Sequence, residues 1–221
     1  MNMKLAAVLV AAACGAAACS TTESASPDEF FDSVVGVEAS GCSLVPALGS
    51  GTVLADERVM TSAHTVAGAL DIVVIDGEGR SLSATLVGFD PDKDLAVLSV
   101  PGLASPPLSL GQASGEESGW VVAWNRDDGI HAYPMTVTKR ILVTIEDIYV
   151  DDIVERGAIE IAADVAKGDS GGAVISAEGE VVGLIYATSR TRTAGFALDG
   201  EEIAAALAAA AGESVDAGRC L

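Results

Sequence analysis

Ser170 stands in the run Gly168-Asp169-Ser170-Gly171-Gly172, and His64 stands far upstream in Thr61-Ser62-Ala63-His64. A serine hydroxyl is a poor nucleophile until a nearby imidazole takes its proton. Glycines around it let the backbone turn sharply and aim N–H groups at a developing oxyanion. The chemistry such a set performs is acyl transfer, and it needs a third group to orient the imidazole and stabilise its charged form. Asp90, Asp92 and Asp94 compete for that place in Phe89-Asp90-Pro91-Asp92-Lys93-Asp94. Asp94 directly precedes Leu95-Ala96-Val97-Leu98, a strand poised to enter the core, which would bury its carboxylate beside a cleft. Asp90 and Asp92 flank Pro91 in a turn, so Asp94 is the expected orienting residue. His131, in Ile130-His131-Ala132-Tyr133, lacks comparable surroundings and reads as structural or surface.

The run also fits Gly-x-Ser-x-Gly, the nucleophile elbow of α/β-hydrolases, in which the histidine follows the serine. Both histidines of this chain precede Ser170, so that reading fails. The order His, Asp, Ser is the one that chymotrypsin-like enzymes use.

The elements that must position these groups are short β-rich runs separated by Gly, Asp and Pro. Six candidates precede Pro101–Gly115: 34–37, 51–55, 58–61, 72–75, 81–87 and 95–100. Six follow it: 120–124, 131–143, 158–161, 173–175, 181–186 and 193–197. Many short strands at such spacing argue for barrels rather than a parallel sheet. The expected fold is all-β: two packed six-stranded antiparallel barrels with a C-terminal α-helix. His64 and the aspartates lie before the Pro-rich seam and Ser170 after it, so they would meet between the halves (33–105 and 116–221). Ile203 and Leu207 at i, i+4 and a stop at Gly212 predict a helix over 199–211, packed on the second barrel.

The N-terminus reads as an export signal. Lys4 is followed by an apolar or small stretch from Leu5 to Ala18, too short to span a membrane comfortably. Ala16-Ala17-Ala18-Cys19 resembles a bacterial lipobox, so residues 1–18 are expected to leave as a signal peptide and Cys19 to carry lipid. Ordinary cleavage and free secretion is the alternative. Ser20–Asp32 would then be a flexible tether. Cys42 and Cys220 remain as an even pair in an oxidising compartment, where a bridge is expected over two free buried thiols. With 32 acidic and 12 basic residues the net charge is −20. Such a surface repels nucleic acid, and no Lys/Arg cluster offsets it. No phosphate-binding loop or clustered ligand set calls for a cofactor or a metal.

Taken together, TSAH, DLAVL and GDSGG in this order resemble the trypsin-like serine proteases. Among them the chain is most similar to the actinobacterial periplasmic acid-resistance proteases of the MarP type, over about 33–220. The resemblance implies an oxyanion hole made by the N–H groups of Gly168 and Ser170, and a Cys42–Cys220 disulfide. It implies a serine endopeptidase acting on peptide bonds of cell-envelope proteins, as a monomer. By the same resemblance, Asp164, Tyr186, Ala187, Thr188 and Gly195 would form the primary substrate pocket. A carboxylate there would favour Lys or Arg before the scissile bond, but Asp164 reads equally well as an exposed residue. Val34-Val35-Gly36-Val37 faintly resembles the new N-terminus that cutting of a trypsin-like zymogen creates, the group that then pairs with the aspartate of GDSGG. Ser33 before it is no tryptic site, so no such cut is expected. An inactive binding module on the same fold, or an esterase using the same triad, are the rival readings.

Overall fold

The computed structural model describes residues 25–221; the expected signal peptide and the Cys19 lipid site lie outside them. Twelve strands form two closed antiparallel barrels. The first holds β1 (Val34–Ser40), β2 (Ala47–Ala55), β3 (Arg58–Thr61), β4 (Asp71–Ile75), β5 (Ser81–Asp90) and β6 (Leu95–Ser99). The second holds β7 (Glu117–Asn125), β8 (Gly129–Glu146), β9 (Ile153–Ala162), β10 (Ala173–Ser176), β11 (Val181–Thr188) and β12 (Gly195–Asp199). The ring order β1-β2-β3-β6-β5-β4 is repeated as β7-β8-β9-β12-β11-β10. Closure leaves neither sheet an open edge. All twelve expected strands are present; β8 and β9 run on as a long hairpin paired from Thr136↔Ala162 to Glu146↔Ile153.

Successive side chains of a strand point to opposite faces, and this alternation builds three apolar clusters. Val35, Val37, Val53, Val59 and Leu98 fill the first barrel. Val121, Val137, Ile159, Ile161 and Ile185 fill the second. Their neighbours Val34, Met60, Leu95, Val97, Val122 and Leu184 face outward instead and join the barrels in a third cluster. Burying each such side chain contributes about 1.5–3 kcal/mol, so the barrel junction is part of the core.

Two expectations change in detail. Pro27–Ser33 form a 3-10 helix with Phe30 only 6% exposed, so the second half of the expected tether is docked by an aromatic anchor. Helix α2 (Gly200–Ala209) is capped by Asp199, whose carboxylate accepts from the N–H groups of Glu201 and Glu202. It buries Ile203 against both barrels, and the tail beyond it runs back over the first. There Val215 N–H donates to Leu86 C=O at 2.9 Å and Ala217 packs on the first core. The tail ends in the Cys42–Cys220 disulfide, which spans 178 residues. A cross-link of that span stabilises by at most about 5 kcal/mol in the chain-entropy model. Replacing both cysteines by serine is expected to lower the unfolding free energy extrapolated from urea titration by a large part of that figure, and an unchanged free energy would refute it.

Candidate active site

β3 runs into helix α1 (Ala63–Val66), and this abrupt change of direction at Ser62 sets His64 on the rim between the barrels. The imidazole is about one-third exposed. Its Nδ1 lies 2.8 Å from Asp94 Oδ2, while the His64 backbone N–H donates to Asp94 Oδ1 at 2.9 Å. One carboxylate therefore holds both ring and backbone of the same residue. Asp94 is 4% exposed and sits in the left-handed region at φ +58°, which aspartate tolerates better than most residues. The other two candidates do different work. Asp90 closes the preceding turn by accepting from Lys93 N–H at 2.8 Å, and Asp92 offers its carbonyl to the Arg156 guanidinium.

Ser170 sits on the loop before β10, on the same cleft as His64. Its loop is clasped from the first barrel by buried hydroxyls. Ser50 Oγ reaches Gly168 C=O at 3.1 Å, and Thr52 Oγ1 donates to Gly171 C=O at 3.0 Å. Ser50 N–H donates to Ser170 C=O at 2.8 Å, while Thr61 Oγ1 donates to Ser50 C=O at 2.7 Å. Gly171, at φ +85°, must be glycine, since a Cβ there would fall 2.1 Å from Ser50 C=O. Gly168 is also left-handed, at φ +105°. Among the described residues neither Gly168 N–H nor Ser170 N–H donates to a protein acceptor, which leaves both free for an anionic oxygen.

The cleft encloses about 680 Å³. Its walls include Val165–Gly168 on one side and Ile185–Thr188 on the other, with Val45–Leu48 from the first barrel. Of the expected pocket residues, Tyr186, Ala187 and Thr188 line it. Asp164 and Gly195 do not. Ala163 and Val165 are buried and Asp164 between them is exposed, so extended-chain alternation turns Val165 toward the pocket and the Asp164 carboxylate away. Gly195 lies behind, where a Cβ would fall 2.4 Å from Val165 Cγ2.

Sequence reasoning missed one cluster. Asp169 is 1% exposed, and its Oδ1 lies 3.2 Å from His131 Nε2. Its Oδ2 accepts from Tyr133 Oη at 2.6 Å and from Ala166 N–H at 2.8 Å. Burial opposes the charge, but the bonds from His131, Tyr133 and Ala166 together hold the Asp169 carboxyl below the usual range. The clue in the sequence was the i, i+2 spacing of His131 and Tyr133, which puts both on one face of β8. The buried Ser50 and Thr52 in β2 likewise marked a polar seam inside an apolar strand. Among the described residues no group of three or more His, Cys, Asp or Glu could hold a metal ion.

Residues 49–184 match the family model for the trypsin-like peptidase domain. The chain is 36% identical over 178 residues to the serine protease Rv3671c of Mycobacterium tuberculosis, covering 78% of this chain and 45% of that protein. It is 36% identical over 154 residues to a probable periplasmic serine endoprotease, DegP-like, of Halomonas elongata, covering 68% of this chain and 31% of that one. The chain thus spans less than half the length of these curated relatives. The crystal structure of the active form of the Rv3671c protease superposes with a TM-score of 0.82 at 33% identity, covering 87% of each chain. The inactive form superposes at 0.72 and 34% identity, over 83% of this chain and 91% of that one.

Proposed function

Because the chain belongs to the trypsin-like peptidase domain family, we propose that it is an exported serine endopeptidase that cleaves proteins of the cell envelope. The observation that carries this reading is the Asp94 clamp on His64, facing the same cleft as Ser170. In the proposed reaction Ser170 Oγ attacks the peptide carbonyl carbon while His64 Nε2 takes its proton. Asp94 keeps the remaining ring proton on Nδ1, so that Nε2 can accept. The carbonyl oxygen becomes an oxyanion between the N–H groups of Gly168 and Ser170. Collapse expels the amine, which takes the proton from His64, and water then hydrolyses the acyl-enzyme by the same steps.

The pocket walls suggest which residue precedes the scissile bond. Val165, Ile185 and Ala187 are apolar, and the carboxylate among the lining residues, Asp127, is exposed on the β7–β8 turn rather than in either of these walls. Burying an unpaired cation there would be costly. Peptides with Val, Leu or Ala before the scissile bond are therefore expected to exceed matched Lys or Arg peptides by at least about 100-fold in kcat/KM. A preference for Lys or Arg would overturn this assignment. Export rests on the leader sequence and agrees with the DegP-like relative being named periplasmic, while the lipid on Cys19 rests on the leader sequence alone.

The test is intact-mass spectrometry after a fluorophosphonate probe, with Ser170→Ala alongside. One adduct on the wild type and none on the variant is expected. No adduct on either would end the peptidase reading, and turnover of a matched ester without the peptide would make the protein an esterase.

A further inference from the structure

We propose that His131 is a positioning residue, which holds the oxyanion loop in its working shape through Asp169 and gives the enzyme an alkaline limit. This rests on the peptidase reading and adds to it a residue outside the triad. Asp169 lies between Gly168 and Ser170, so its placement governs the peptide planes on which both oxyanion donors depend. Gly168 and Gly171 are left-handed glycines with little intrinsic preference for this shape. The loop's conformation must then come from what pins it. On its own side the pins are the Gly171 N–H bond to Ile185 C=O at 2.7 Å and, nearer the two oxyanion donors, the buried Asp169 carboxylate.

A buried carboxylate is costly unless it is paired and fully hydrogen-bonded. Among the described residues His131 is the only cationic side chain within 4 Å of it. The N-terminal pairing familiar from cut zymogens has no room here. Val34 and Val35 are built into β1 opposite Thr52 and Gly51, and the 3-10 helix precedes them. Three donors occupy the Asp169 oxygens instead.

The surroundings of His131 favour its charged form. Nδ1 faces the Gly129 carbonyl at 3.3 Å while Nε2 faces Asp169. Both ring nitrogens of the imidazolium can donate to these acceptors. Neutral imidazole would have one lone pair facing an oxygen, relieved only by the Asn125 amide at 3.4 Å. The other charged group acting on the ring is Asp128, at the β7–β8 turn. Tyr133 stacks beside it, with ring centroids 6.1 Å apart. Burial first, then the Asp169 bond, pushes the Tyr133 hydroxyl far up, with a smaller contribution from the exposed Asp164. Tyr133 therefore stays a donor, and His131 is the member of the cluster that titrates.

The bond to Asp169, above all, raises His131 from its ordinary 6.5. A raised folded value means that the pair is intact below about 6.5 and is lost as pH rises through the higher value. Activity should therefore fall as pH rises and His131 loses its proton. The side chain of His131 is 25% exposed, so solvent can take that proton without unfolding.

The test combines turnover with a measurement independent of it. His131→Asn keeps a donor but removes the charge. Its kcat is expected to fall about 10- to 100-fold with KM little changed, a fraction of the loss from deleting an oxyanion donor outright. The alkaline limb should vanish, and His131→Lys should restore kcat and move the limb up by more than one pH unit. In Ser170→Ala protein, which cannot digest itself, the amide signals at positions 168 and 170 should titrate with the His131 ring. They should not titrate once His131→Asn is added, in a spectrum that still shows a folded chain. An unchanged alkaline limb in His131→Asn, a loss confined to KM, or amides that ignore His131 would overturn the proposal. If those amides follow His131 but the wild type hydrolyses no peptide, the loop coupling stands and the peptidase reading falls.

Discussion

Replacing Ser170 by alanine is expected to lower kcat on a good peptide on the order of 10⁶-fold, leaving the thermal midpoint within a degree or two. The loss is large because the covalent route disappears, not because one bond is weakened. Without Oγ there is no nucleophile, and His64 and Asp94 have no proton to move. Residual turnover above the water rate, about 10³–10⁴-fold, would come from substrate binding and the oxyanion donors alone. The fold should be indifferent, because Ser170 meets the first barrel through its backbone: its carbonyl accepts from Ser50 N–H. Adding His64→Ala to Ser170→Ala should cost little more, since residues that act as a unit are not additive. Steady-state kinetics of the single and double variants would check this, and multiplicative losses would show that the two do not act together.

The second large effect is Asp94→Asn, expected to lower kcat about 10⁴-fold. Its geometry makes it a clean probe. Position 94 is left-handed at φ +58°, and asparagine tolerates that region as aspartate does. The asparagine oxygen would keep the bond to the His64 backbone N–H, now made by Oδ1 at 2.9 Å. Its NH₂ would then face Nδ1, where Oδ2 stands now. A donor opposite Nδ1 forces the ring proton onto Nε2, and the base can no longer accept from Ser170. The variant should fold, bind substrate with nearly unchanged KM and fail in chemistry. Asp90→Asn and Asp92→Asn should leave kcat within about threefold, since the Asp90 side chain serves the turn and Asp92 contributes its backbone carbonyl. A loss at Asp90 or Asp92 equal to that at Asp94 would overturn the assignment.

The alternation that identified strands also carried much of the site. Arg58–Thr61 ends beside His64 and Leu95–Ser99 begins beside Asp94, so reading where strands stop placed both residues on a rim. Gly171 was legible because no other residue suits a left-handed turn packed against a carbonyl, and Gly168 shares the left-handed backbone without that crowding. Asp164 shows the limit. A shift of one residue decides whether a side chain points into a pocket or away, and its neighbours Ala163 and Val165 are equally plausible linings in one dimension. The structure put Val165 inward, and with it an apolar wall in place of a carboxylate.

His131 shows a different limit. The i, i+2 spacing within Ile130-His131-Ala132-Tyr133 marks a shared polar face but not its partner, because Asp169 is 38 residues away and arrives only when the second barrel closes. The tail is a mixed case: its helix was expected on the second barrel and meets both, while the return of its last residues to the first followed from the expected Cys42–Cys220 bridge. By itself the sequence determined the β-barrel class and put forward Ser170, His64 and Asp94 as the proposed nucleophile, base and orienting carboxylate, because each is written in residues adjacent along the chain. Only the tertiary structure decided what holds Asp169 and which wall lines the cleft. Those outcomes depend on contacts between distant segments, and barrel closure and burial select them.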